Sequence, residues 1–141
     1  MPWFPYRPVG NGFLPVVMGH VVRNGKTSIP INFIVDSGAV LTSVPRSYVG
    51  SLIQDLHGKD EDTGAKDANG AAVRGLPVEF EIQVTGLKEV TRHWVWVCSG
   101  ASRWGLLGQT WLETFGAQFE NFPSGPNGRR FALHRCPWPP Q

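Results

Sequence analysis

The segment Ile31-Asn32-Phe33-Ile34-Val35-Asp36-Ser37-Gly38-Ala39 runs from an oily strand straight into an acid. Phe33-Ile34-Val35 reads as the continuous apolar run of a strand buried on both faces, and it stops at three ordinary turn formers, Asp36, Ser37 and Gly38. Such a tripeptide means little alone. Here Ala39-Val40-Leu41-Thr42-Ser43-Val44 continues in small and apolar residues, so the turn is expected to be sunk into the core. Burying an ionised carboxylate without a partner is costly, and the next cation along the chain, Arg46, lies past the turn. A second Asp sharing one proton would offset that cost.

Upstream, Val16 to Val22 is rich in β-branched residues, Asn24-Gly25 is a two-residue turn signal, and Thr27 to Phe33 returns with alternation, which predicts a β-hairpin. Downstream, Pro45 suits the first position of a short helix reaching about Leu56, with Tyr48, Leu52, Ile53 and Leu56 near one face; Gly50 weakens it. His57 to Gly70 is polar and glycine-punctuated. Leu76 to Leu87 alternates as a strand with Val78, Phe80, Ile82 and Val84 on one face, and Trp94 to Cys98 is another. Leu106-Leu107-Gly108 leads into a short helix, Thr110 to Phe115, closed by Gly116, and two strands within 117–122 and 130–135 finish the chain. The Pro-rich ends are arms unfit for a central strand, with the aromatic Trp3, Phe4, Tyr6 and Trp138 packing either on their own subunit or between subunits.

The chain has 141 residues, one domain's worth, with 17 Gly and 12 Pro but only 17% charged residues, which favours many turns and few long helices. Eight Phe, six Trp and two Tyr supply the bulk for a packed core. A formal charge of +2 argues against a nucleic-acid or membrane-surface partner, including a small barrel reading single strands through Trp94 and Trp96. No apolar run reaches the length of a bilayer span and Met1 to Gly10 lacks the order of a signal peptide, so the expectation is a soluble, cytoplasmic protein. Cys98 and Cys136 form no disulfide framework, though one bridge between them stays open. With His20, His57, His93 and His134 they show no metal-ligand spacing.

Phe33-Ile34-Val35-Asp36-Ser37-Gly38-Ala39 resembles the active-site strand and loop of aspartic proteases: apolar residues, Asp, Thr or Ser, Gly, Ala or Ser. Leu106-Leu107-Gly108 resembles the apolar-apolar-Gly motif that in this family sits beside the catalytic loop and leads into a helix. Ala68, Asn69, Gly70 and Ala71, with Val73 and Gly75, resemble the flap of single-domain, retroviral-type members. The order and spacing of the three motifs, from about Leu14 to Leu133, carry the likeness. It implies an all-β, closed-barrel retropepsin-like domain over residues 14–135 with one or two short helices, between an arm of residues 1–13 and a tail of residues 136–141.

The resemblance further implies Asp36 as the catalytic acid, with Ser37, Gly38 and Ala39 supporting the loop and Leu106, Leu107 and Gly108 beside it. One such Asp per chain implies a homodimer, in which the two Asp36 carboxylates share a proton, activate a water and hydrolyse an extended peptide, with no metal or cofactor. The flap would hold the peptide as an added strand. Where many relatives carry an Asp after the apolar-apolar-Gly motif, this chain has Gln109, which leaves that helix's hydrogen bonds open. Asp62-Thr63-Gly64-Ala65 matches the family tetrapeptide literally, yet hydrophilic residues precede it and it reads as an exposed turn. It also lies too near Asp36 in sequence to come from a second domain. The rival to an enzyme is a retropepsin-fold module that binds or assembles peptides without catalysis.

Overall fold

The computed structural model describes residues 3–56, 62–67, 69–100, 102–120 and 129–135. The chain is all-β. Its main sheet begins with β4 (Val16–Arg23), β5 (Lys26–Thr27) and β6 (Ile31–Val35). The Asn-Gly turn forms as expected, with Asn24 at φ 52° and Gly25 at φ 76°, the left-handed pair that a tight hairpin requires. The hairpin's second arm is not one strand. Ser28 donates its amide to the Val21 carbonyl at 2.9 Å but takes the Val21 amide on its Oγ at 3.0 Å, Pro30 interrupts, and β6 then pairs with the first half of β4. Nor is β6 buried on both faces: Ile31, Phe33 and Val35 are buried, while Asn32 and Ile34 are partly exposed.

After β7 (Ser43–Pro45) the expected helix is broken into α1 (Arg46–Val49) and two 3₁₀ turns, Gly50–Leu52 and Gln54–Leu56. Gly50 ends the α-helical turn, and Arg23 fastens the rest by donating to the Leu52 carbonyl at 2.9 Å and to Asp55 at 2.6 Å. β8 (Asp62–Lys66), β9 (Ala72–Val84) and β10 (Val90–Cys98) follow. In β9 the period of two holds: Val78, Phe80, Ile82 and Val84 are all core residues. β11 (Gly105–Leu107) precedes α2 (Gln109–Leu112), a single turn shorter than expected, because Phe115 and Gly116 already belong to β12 (Phe115–Glu120). Gly116 is thus a strand residue and no helix cap.

Strand order in the main sheet is β5-β4-β6-β11-β7-β10-β9-β8, and β4 pairs also with β9, so the ladder from β4 through β6, β11, β7 and β10 to β9 returns on itself. The short β5 and the hairpin strand β8 stay outside this ring as its edge strands. The last strand, β13 (Arg130–Arg135), lies between β12 and β1 (Trp3–Pro5) in a separate three-stranded sheet. The N-terminal arm packs on its own chain: Phe4 stacks on Phe131 with centroids 5.5 Å apart, and the Arg130 guanidinium sits 4.2 Å over Trp3. It continues as the hairpin of β2 (Arg7–Val9) and β3 (Gly12–Leu14). Residues 136–141, with Cys136 and Trp138, lie outside the described residues. Among the described residues no helix is long and apolar enough to cross a membrane.

Candidate active site

One chain crossing builds the site. β6 runs parallel to β11, and β11 also lies against β7, so the chain leaving β6 must pass over the end of β11 to reach β7. Residues 36–42 make that passage. The Asp36 amide donates to the Leu107 carbonyl at 3.0 Å, which fixes the acid at the mouth of the parallel pair. Its own Oδ1 accepts the Gly38 amide at 2.9 Å, and the Ala39 amide donates to the Asp36 carbonyl at 3.1 Å, closing a tight turn.

The passage over β11 explains Gly108. A Cβ there would collide with the Leu41 carbonyl oxygen and lie 2.7 Å from that of Ala39, so only glycine lets the two backbones cross. Beyond it, the Gln109 and Thr110 amides donate to the carbonyls of Ala39 and Val40 at 2.8 and 3.2 Å. Thr42, fully buried, accepts on its Oγ1 from the Gly108 amide at 3.2 Å and from the Thr110 hydroxyl at 2.9 Å. The Gln109 side chain answers the question its sequence position raised. Its Nε2 donates to the Ser37 carbonyl at 3.1 Å, so a neutral amide braces the turn.

The turn is less buried than expected. Asp36 is partly exposed, Ser37 and Gly38 are exposed, and Val40 and Leu41 stand 63% and 39% open. The reason is that β6 ends at Val35 and the loop lies outside the last core layer. Within a single chain Asp36 is partly open to solvent.

Asp36 opens into a cavity of about 710 Å³. Gly38, Ala39, Val40, Leu41 and Leu106 line its near side, Ser43, Trp96 and Cys98 its floor, and Ala65, Asp67 and Val73 its roof. The roof is the β8–β9 hairpin. Gly75 permits it to fold down, because a Cβ there would meet Val97 O and, at 2.8 Å, the indole Nε1 of Trp96. Burial pushes the Cys98 thiol pKa up, and a hydrogen bond from Ser43 opposes this. The hairpin tip is held by Asp67, whose Oδ1 accepts the amides of Asn69 and Ala71 at 2.9 and 3.0 Å. Asn69, Gly70 and Ala71 form this tip, whereas Ala68 lies outside the described residues. A second hollow of about 390 Å³, between Arg23 and Trp94 on the outer face of β9 and β10, holds none of the expected site residues.

Asp62-Thr63-Gly64-Ala65 is strand β8 and not a turn. Asp62 pairs with Gly75 and Ala65 with Val73, and the hydrophilic residues before it lie outside the described residues. Sequence reasoning missed its part in the roof, Trp96 in the floor, and the Gln109 brace. Only the alternation of β9 and β10 could have pointed to Trp96.

No family model matches this sequence, and no curated protein does. Solved structures do. A retropepsin-like aspartic protease from Rickettsia conorii superposes with a TM-score of 0.59 at 19% identity, covering 94% of this chain and 94% of that one. EIAV protease complexed with the inhibitor HBY-793 gives 0.47 at 19% identity, covering 76% of this chain and 92% of that one. This chain has the retropepsin-like fold.

Proposed function

We propose that this protein is an aspartic endopeptidase that works as a homodimer, with Asp36 of each copy forming the catalytic pair. The observation that carries the reading is one carboxylate, fixed at the end of β6 by the Leu107 carbonyl, opening into a roofed cavity large enough for peptide side chains. The Rickettsia protein of the same fold is itself described as an aspartic protease. Among the described residues Asp67 is the other acid in the cavity lining, but its Oδ1 is engaged by the two amides of the hairpin tip. The partner acid must then come from a second copy. The open Val40 and Leu41 beside Ser37 and Gly38 give that copy an apolar rim to cover.

In such a pair two carboxylates about 3 Å apart cannot both ionise, so they hold one proton between them. The charged member takes a proton from water while the other donates to the scissile carbonyl oxygen. Water's oxygen adds to the carbonyl carbon, and the proton passes on to the leaving nitrogen as the C–N bond breaks. Ser37 and Gly38 keep the loop closed, and the β8–β9 hairpin covers an extended peptide. A digest of a mixed peptide library by wild type and by Asp36→Asn, read by mass spectrometry, tests the reading. Cleavage by wild type alone is expected; equal cleavage by both, or none by either at high protein concentration, overturns it.

A further inference from the structure

Among the described residues, the buried side-chain atoms without a hydrogen-bond partner are Asn32 Oδ1, Trp111 Nε1 and Trp96 Nε1. Such orphans are uncommon in folded proteins, and each asks for a cause. Of these residues Trp96 is the one that lines the Asp36 cavity, and it does so at 8% exposure. Leu106, Ser43 and Trp96 are register partners on β11, β7 and β10, so their side chains share one face of the sheet, and all of them line the cavity. Leu106 adjoins Leu107, whose carbonyl holds the Asp36 amide. Trp96 stands two strands away, roughly 10 Å across the sheet. Its indole Nε1 lies against Gly75, the residue at which the roof joins the sheet, since Gly75 pairs with Cys98 of β10 on one side and with Asp62 of β8 on the other. A buried donor without an acceptor thus sits where roof meets floor.

We propose that the Trp96 N–H is a specificity-determining donor, and that the cavity selects peptides carrying a neutral side-chain amide, Gln or Asn, one or two residues from the cleaved bond. The inference deepens the endopeptidase reading and rests on it for its kinetic arm. An unpartnered buried N–H has already lost its water, so an oxygen brought to it gains the bond without stripping a hydration shell from the donor. A thioether or methyl group in the same place leaves the donor as it was and gains only packing. Because the N–H is covered at the root of the hairpin, the acceptor reaches it as the roof parts from the floor, and the new bond favours closing again. Neutrality follows from the charges in the lining. Lys66 and Asp67 on the roof are opposite in sign, which leaves Asp36 as the uncompensated charge there, and a Glu or Asp occupant would bring a second negative charge beside it. The other half of the amide also finds partners: the Ser43 hydroxyl oxygen and the Cys98 sulfur, in the floor with Trp96, can accept its N–H groups.

The experiment uses the full chain and hexapeptides of alanine and valine that carry Gln, Met or Glu at each position in turn. Met matches Gln in length without its amide, and Glu replaces the amide by a charge. Binding is read first, on Asp36→Asn, through the indole N–H resonances in a nitrogen–proton correlation spectrum; the Trp96 signal is the one missing when Trp96→Phe is added. That signal is expected to move downfield with Gln at one position and to stay in place with Met or Glu there. Cleavage is read second, on wild type and Trp96→Phe, which keeps an aromatic ring and removes the donor. The kcat/KM ratio of Gln over Met peptide should be about tenfold in wild type and fall close to one in Trp96→Phe. An indole signal that no peptide moves, or that Met moves as far as Gln, overturns the proposal, and so does a Gln preference that survives in Trp96→Phe. If wild type cleaves none of the peptides while the indole signal still answers Gln, the endopeptidase reading fails and the amide selection stands as a property of binding. If Trp96→Phe does not fold, the signal is assigned through its proximity to the Gly75 protons and the binding arm decides.

Discussion

Asp36-Ser37-Gly38-Ala39 and Asp62-Thr63-Gly64-Ala65 are nearly the same tetrapeptide, and the chain puts them to opposite uses. The first is a turn, delivered by Phe33 and Val35 at 0% and 4% exposure and bridged across the end of β11. The second is a strand, laid antiparallel on β9 so that Ala65 roofs the cavity that the first one opens. The tetrapeptide therefore does not encode a catalytic loop. What makes the first a turn is the buried strand before it and a Gly108 some seventy residues later over which it can cross.

The sharpest way to break this contrast is to neutralise each acid in turn. Asp36→Asn, which changes charge with little change in volume, is expected to lower peptide cleavage by roughly 10³-fold or more. Asp62→Asn should leave it within a few-fold of wild type. An active Asp36→Asn with an inactive Asp62→Asn would exchange the roles. Fluorescence-monitored urea unfolding of both variants separates a lost acid from a lost fold.

Next comes the crossing itself. Gly108→Ala forces a methyl group against the carbonyls of Leu41 and Ala39, and overpacking against backbone costs more than against a yielding side chain. We expect about 3 kcal/mol of destabilisation, at the upper end of small-to-large replacements, and loss of activity with it. The matching replacement in the strand-borne copy, Gly64→Ala, makes no loop and should cost less than Gly108→Ala in the same urea titration.

Much of this was legible from local pattern. The Asn24-Gly25 turn, the alternation of β9 and the apolar delivery of Asp36 follow from residues adjacent in sequence, and they reappear in the structure. Contacts between distant segments were not legible. The half-exposed state of the Asp36 turn depends on where the core layer ends, and β8 depends on β9 as a template, since Asp-Thr-Gly-Ala by itself favours a turn. The helix expected from Pro45 to Leu56 ends at Gly50, as that glycine warned, but the 3₁₀ turns after it are held by Arg23, over on β4, through the Leu52 carbonyl and Asp55. Gln109 was seen as a departure, but its use became apparent only with the Ser37 carbonyl in place at 3.1 Å.

That brace gives a smaller effect, confined to the turn-forming copy. Gln109→Ala removes one exposed hydrogen bond, worth at most about 1 kcal/mol. If it acts by holding Ser37, and with it Asp36, the loss falls on kcat, by about fivefold, with KM steady. Gln109→Glu reverses the test, because a carboxylate can only accept and would face the Ser37 carbonyl oxygen without a proton to give. It should be worse than alanine. A Glu variant as active as wild type would mean that the amide contact plays no part.

The smallest effect belongs to the roof. Asp67 holds the tip of the β8–β9 hairpin through a single oxygen that accepts two amides, at 2.9 and 3.0 Å, and the tip is exposed. Asp67→Ala should cost well under the full value of two buried hydrogen bonds, on the order of 0.5 kcal/mol, because water replaces the lost acceptor. Asp67→Asn keeps a side-chain oxygen for the same two amides and should restore most of that loss, which separates the turn from any effect of charge. On the proposed reading the hairpin covers the substrate and does no chemistry, so the kinetic loss in Asp67→Ala belongs in KM, opposite to that of Gln109→Ala. A loss confined to kcat, unrestored in Asp67→Asn, would move Asp67 from roof to reaction and give the cavity a second working acid within one chain.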